Sequence, residues 1–255
     1  MYLTIDMGNT NIKLGLYDND KQIDFTRFKT KQHDYYDLIR LFLKANNLDY
    51  VEDAIISCVT PSILIKFKDD LKTFIKNEII EVNYHTDLGI NIISDTPEII
   101  GNDLLVMSSY AYHLTHKASI VISFGTATVF VYTDLSGNYR YAMIAPGFEA
   151  AYKTLFKDAE NLNDTPLSYP ETVLATNTLD ALNAGIVEGY VGLTNHLISK
   201  MKEELNNDDI AIIICGGNAE ILTKGIEDIT TYKADFVTEG LSYIYLRNKK
   251  WIKLS

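Results

Sequence analysis

In TIDMGNTNIKLGLYDND (residues 4–20) an apolar run ends at a glycine, three small polar residues follow, and a second alternating run leads into a polar turn. The pattern is strand, turn, strand. It returns at an offset of 117 residues as VISFGTATVFVYTDLSG (121–137), with Gly8 opposite Gly125 and Asn9, Thr10 and Asn11 opposite Thr126, Ala127 and Thr128. An offset near half of the 255 residues predicts two similar α/β halves, 1–117 and 118–255, with a cleft between them. Clefts of this kind are favoured ligand sites.

The rest of the chain supports that division. YLTID, IKLGLYD, QIDFTRFKT and DAIISCV read as strands in the first half, and YYDLIRLFLKAN and PSILIKFKDDLKTFIKN as amphipathic helices. PEIIGNDLLVMSSYAYHLTH reads as a helix reached through a Gly-Asn-Asp turn. In the second half ASIVISF, ATVFVYTD, YRYAMIAP and DIAIIIC read as strands; FEAAYKTLFKD, the long NTLDALNAGIVEGYVGLTNHLISKMKEEL and GNAEILTKGI read as helices. Strands grouped before helices, twice over, imply two layered domains.

Composition narrows the function classes. The chain is ordinarily globular, 47% apolar and 22% charged, and has no apolar run of the ~20 residues a membrane span needs. MYLTIDMG enters a strand pattern at once and has no basic segment followed by an apolar block, so a cytoplasmic protein without a signal peptide is expected. A net charge of −11 argues against nucleic acid as a partner, although local amides can still hold a small anion. Cys58 and Cys215 lie in apolar runs and read as buried thiols. The five histidines (His33, His85, His113, His116, His196) show no metal-ligand spacing with cysteine.

Four stretches could carry chemistry. At Gly8 a positive φ would let backbone N–H groups converge on an anion, with Asn9, Thr10 and Asn11 adding side-chain donors. Asp6, two residues earlier at a strand end, could hold a magnesium ion or its waters. A tight turn with a surface acid has the same sequence, and the repeat in FGTAT is what favours two hairpins gripping one polyphosphate. Lys13 reads more readily as a strand-edge lysine. CGGNAE (215–220) allows close backbone approach, as a nucleoside would require, but a strand-to-helix turn also wants glycine. Asp103 of GND could accept a proton from a substrate hydroxyl or simply cap a helix. Asn177 and Thr178 are N-cap types.

Together these pieces resemble the type III pantothenate kinase family, a branch of the acetate and sugar kinase, Hsc70 and actin superfamily. DMGNTNIKLGLYD resembles its first phosphate motif, GTAT (125–128) its second, PEIIGND its catalytic segment, CGGNAE its adenosine motif, and IAPG (144–147) with NTLDALNAGIVEGYVG its substrate half. ADFVTEGL (234–241) resembles the start of its closing helix. The resemblance implies an α/β fold of two ribonuclease H-like (actin-like) halves with a central cleft. It implies ATP held by Asp6, Met7, Gly8, Asn9, Thr10, Asn11, Ile12 and Lys13, by Gly125 and Thr126, and by Gly216 and Gly217, with Mg2+ near Asp6. Asp103 becomes the general base on the primary hydroxyl of pantothenate, and Ser94, Gly101, Asn102, Leu104 and Thr178 occupy substrate positions. A homodimer and a monovalent cation, potassium or ammonium, are also implied.

The chain departs from the family pattern at several of these positions. Ser123 stands where the family has an aspartate that binds the monovalent cation, and a hydroxyl brings no charge. Leu104 replaces an arginine that contacts substrate; one charge-assisted bond is worth ~1.5–3 kcal/mol, a tenfold to hundredfold change in affinity. Ser94 replaces a pocket tyrosine, and Tyr141-Ala142 replaces a glycine pair. Three readings follow: a divergent pantothenate kinase, which the retained Asp6, Asp103 and Thr178 favour; a kinase for another small alcohol; and a non-catalytic nucleotide-binding paralogue.

Overall fold

The computed structural model describes residues 1–31, 34–157, 167–217 and 219–252, without the side chains at 155–157 and 250–252. His33, named above, and Asp158 and Asn218, each within a stretch quoted above, lie outside the described residues. Two compact units emerge: residues 1–114 joined by the closing helix, and Thr115–Asp235. No helix among the described residues is long and apolar enough to cross a membrane.

The first unit is built on β1 (Tyr2–Met7), β2 (Asn11–Asp18), β3 (Lys21–Lys29), β4 (Asp53–Cys58) and β5 (Ile79–Glu81), in the order β3-β2-β1-β4-β5. β1, β2 and β3 form an antiparallel meander, and β4 joins β1 in parallel. Alternation separates the two faces. Leu3, Ile5 and Met7 of β1, Ile12, Leu14 and Leu16 of β2, and Ala54, Ile56 and Cys58 of β4 share one core. That face is covered by α1 (Tyr35–Ala45) and α2 (Pro61–Lys72) through Tyr35, Ile39, Phe42, Leu64, Phe67 and Leu71.

The opposite face carries Tyr2, Thr4 and Asp6 of β1, and α6 (Phe236–Ile252), the last helix, packs there. Tyr2 and Tyr245 stack with ring centroids 3.8 Å apart, and Tyr2 Oη lies 2.7 Å from Ser242 Oγ. Asp53, 1% exposed, accepts from Tyr245 Oη at 2.6 Å and from Lys249 Nζ at 2.6 Å. Burial pushes the Asp53 carboxyl up, but those two bonds outweigh it and leave the group below its ordinary value. A cut at 117/118 assigns this helix to the second half; its contacts are with the first sheet.

The first unit is completed by a short strand, β6 (Asn91–Ile92), a 3-10 turn at Pro97–Ile99, and α3 (Asn102–Thr115).

The second unit repeats the plan with β7 (Ser119–Phe124), β8 (Ala127–Thr133), β9 (Asn138–Pro146), β10 (Ala211–Cys215) and β11 (Ile229–Lys233), ordered β11-β10-β7-β8-β9. Again the first three strands are an antiparallel meander and the fourth pairs in parallel with the first. α4 (Phe148–Lys157) and the 28-residue α5 (Thr178–Leu205) follow β9. Ile120, Ile122, Phe124, Ile212 and Ile214 pack against Ile186, Val187, Val191 and Ile198 of α5.

Three expectations need correction. Among its described residues the stretch GNAEILTKGI forms no α-helix but a 3-10 turn at Leu222–Lys224, because Ala219 and Leu222 are pinned in the core close to Gly216. α2 stops at Lys72, since the backbone of Phe74 and Lys76 is taken by Val51. The repeat is also not in register throughout. Met7 pairs with Ile12 across four turn residues, whereas Phe124 pairs with Thr128 across three, so Ile12 rather than Asn11 corresponds to Thr128.

Candidate active site

The first turn is tight. The Gly8 N–H donates to the Asn11 carbonyl at 3.1 Å, so that amide is spent within the turn. Gly8 does not adopt a positive φ, contrary to the sequence reading; a Cβ here would sit 3.1 Å from Asn11 O, so glycine keeps the turn narrow. Thr30, buried at the end of β3, braces it from below: its hydroxyl donates to Gly8 O at 2.6 Å and its N–H to Thr10 O at 2.9 Å. Sequence reasoning missed Thr30. Met7 and Ile12 are fully buried in the core, so only their main chain could meet a ligand. Asn9 is exposed, and Thr10 and Asn11 are half-buried.

On the α6 face, at the carboxyl ends of β1 and β4, three side chains form a row across the sheet. Asp6 pairs with Lys13 of β2 on one side and with Ser57 of β4 on the other. Lys13 Nζ lies 3.4 Å from Asp6 Oδ2. The Ser57 hydroxyl is buried and makes no hydrogen bond among the described residues. Lys13 therefore faces the carboxylate rather than standing as an edge lysine, and Ser57 carried no signal in the sequence.

Asp103 sits in the first turn of α3, whose start is tied down by Asn102 Nδ2 donating to Cys58 O at 3.2 Å. Asn102 is thus a structural anchor at a position expected to touch substrate. The Asp103 carboxylate accepts from the Leu104 N–H at 3.0 Å. A Cβ at Gly101 would lie 2.6 Å from Asp103 Oδ1, so glycine there leaves the carboxylate its place. Burial, reinforced by the negative charge of Asp6, pushes the Asp103 pKa up to about 6, despite its place at a helix start. An acid so placed is poised to exchange a proton near neutral pH.

In the second unit the Gly125 N–H donates to Ala127 O at 3.1 Å, Gly125 is half-buried and Thr126 exposed. Two other glycines crowd this turn. A Cβ at Gly147 would fall 2.0 Å from Thr126 O, and one at Gly216, whose φ is +109°, would fall 2.5 Å from Phe124 O. The IAPG and CGGNAE stretches thus converge on one turn, each by close backbone approach. Beside Gly217 a cavity of about 400 Å³ is lined by Phe148, Glu149, Tyr152, Lys153 and Ile221.

Ser123 is the topological counterpart of Asp6, and its neighbours in the sheet are Val129 and Cys215 where Asp6 has Lys13 and Ser57. The second row is neutral. Thr178 opens α5 and is exposed; Asn177 is the cap, its side chain accepting from Asp180 N at 3.0 Å. Ser94 is exposed, its hydroxyl accepting from Thr96 N at 3.2 Å, and Leu104 is half-buried. Both cysteines are buried and neither is in a disulfide.

Among the described residues no three His, Cys, Asp or Glu side chains cluster as a metal cage. Magnesium does not need one, since it is commonly held by one or two carboxylates together with waters and phosphate oxygens. Asp6, with Asp103 near enough to feel its charge and an unbonded hydroxyl beside it, fits that requirement.

Residues 2–200 match the type III pantothenate kinase family. The chain is 32% identical over 260 residues to the type III pantothenate kinase of Agathobacter rectalis, covering 99% of this chain and 100% of that one. It is 33% identical to that of Roseiflexus sp., covering 98% and 100%. Among solved structures, MreB 5 of Spiroplasma citri bound to AMPPNP superposes with a TM-score of 0.54 at 13% identity, over 99% of this chain and 98% of that one, a likeness of fold alone. The repeated sheet order is therefore the actin-like plan, and by sequence over nearly its full length the chain belongs to the type III pantothenate kinase family.

Proposed function

We propose that the protein transfers the γ-phosphoryl group of ATP to the primary hydroxyl of pantothenate, the first step of coenzyme A formation. The observation that carries this reading is the placement of the half-buried Asp103 carboxylate in the first turn of α3, in the space Gly101 leaves for it, where burial and the charge of Asp6 push its pKa up to about 6. Asp103 orients the hydroxyl and accepts its proton as the phosphoryl group departs. Mg2+ bound through water near Asp6 would neutralise phosphate charge. The Asn9–Asn11 segment and Lys13 contact phosphates, with Gly125 and Thr126 a further phosphate contact. The glycine pair Gly216-Gly217 and the cavity beside it are read as the adenosine side. A cytoplasmic homodimer with little need for potassium or ammonium completes the proposal, the last because the Val129–Ser123–Cys215 row offers no charge.

One observation favours a second reading, a different small alcohol as acceptor. Leu104 presents a neutral side chain next to the base, and the Ser94 hydroxyl is engaged in its own turn, so two family contacts to substrate are missing. Phosphate transfer from ATP to pantothenate, run beside a panel of small alcohols, separates the two. Product from pantothenate supports the first reading, product only from another alcohol the second, and ATP binding without any product overturns both.

A further inference from the structure

We infer that Ser57 is a positioning residue for the divalent cation that accompanies the nucleotide, acting through Asp6. The inference rests on the proposed magnesium–ATP role of the first unit. Ser57 is 1% exposed and its hydroxyl has no hydrogen-bond partner among the described residues. A buried hydroxyl left unbonded costs about 1–3 kcal/mol, so its presence needs a compensating use.

Its location supplies one. Ser57 pairs in register with Asp6 on the parallel β1–β4 ladder, so both side chains leave the same face at the carboxyl ends of their strands. That edge is where open α/β sheets place their ligands. Across the row, Asp6 Oδ2 meets Lys13 Nζ at 3.4 Å, longer than a good charge-assisted bond. Lys13 is also a phosphate contact in the proposed site. When it turns to an incoming triphosphate, the Asp6 carboxylate loses its cation and must be held by another group while it faces the metal's waters. Rotation about one bond lets Ser57 Oγ donate to it. The hydroxyl is thus satisfied only in the loaded state, and the difference appears as binding energy for the metal complex. The second unit has Cys215 at the matching position beside neutral Ser123, where no such donor is required.

The test measures ATP binding by calorimetry with and without Mg2+, for the wild type and for Ser57→Ala and Ser57→Cys. The cysteine variant keeps the volume and discards the strong donor. Both variants should bind ATP in the presence of Mg2+ about tenfold more weakly, with binding in its absence unchanged and the ligand-free melting temperature not lowered. Wild-type affinity for Mg2+–ATP in both variants overturns the inference while leaving the site reading intact. A lowered ligand-free melting temperature in both also overturns it, since the hydroxyl is then already bonded. Absence of Mg2+-dependent ATP binding in the wild type overturns the site reading and the inference with it.

Discussion

Asp103→Asn should abolish turnover and make the ligand-free protein more stable. The folded carboxyl has a pKa of about 6 against an ordinary 3.8, and the causes are burial first and the Asp6 charge second. A carboxyl raised on folding contributes fully below its unfolded pKa, and that contribution is lost as pH rises through the folded value. That difference corresponds to about 3 kcal/mol withheld from the native state at neutral pH. Asparagine carries no charge and its side-chain oxygen can still accept from the Leu104 N–H, so the loss disappears. The expected gain is up to about 3 kcal/mol, roughly 5–10 °C for a chain of this size, and close to zero at about pH 4. Thermal melts of wild type and variant at both pH values measure it, with ATP binding as a check that the nucleotide site is unharmed. With Asp103 as the proposed base, the wild-type rate should fall as pH drops below about 6. A variant no more stable than wild type at neutral pH, or a gain of equal size in acid, would refute the view that burial and Asp6 burden this carboxylate.

Other substitutions probe separate parts. Gly147→Ala must displace the Thr126 carbonyl, 2.0 Å from the new methyl, and should cost about 2 kcal/mol or more in the second unit's thermal stability while weakening ATP binding. Asp53→Ala leaves Tyr245 Oη and Lys249 Nζ without their acceptor and should cost roughly 2–4 kcal/mol in urea unfolding. Because the Asp53 carboxyl is lowered, its contribution is present above about pH 4 and fades in acid, so the gap between wild type and variant should close there. Leu104→Arg should lower the KM for pantothenate about tenfold with little change in that for ATP. Potassium titration of the kinase assay should show a shallow response, given the neutral row around Ser123.

Residues whose role is set by neighbours in sequence were legible; those set by neighbours in space were not. The hairpins around Gly8 and Gly125 follow from alternation and turn chemistry, and the repeat revealed the two-unit plan. The one-residue difference in turn length was hidden because GNTN and GTAT align by eye. β5 and β11 escaped notice, being short and partly exposed strands in which polar residues break the alternation. At the site, Asp6 and Asp103 stood out as carboxylates beside glycine. Thr30, Ser57 and Gly147 did not, since a brace, an unbonded hydroxyl and a close approach depend on strands that meet only in the folded chain. Gly8 was selected for the right turn on the wrong ground, a positive φ it does not have.

The placement of α6 has a consequence for synthesis. Tyr2 meets Ser242 and Asp53 meets Tyr245 and Lys249, contacts 240, 192 and 196 residues apart. On the ribosome the first sheet is made early, yet one of its faces stays bare until almost the entire polypeptide has emerged. Thr115–Asp235 can close on its own contacts in the meantime, so the unit translated first is the one finished last, and a stalled or shortened nascent chain would present an uncovered sheet to chaperones or to aggregation.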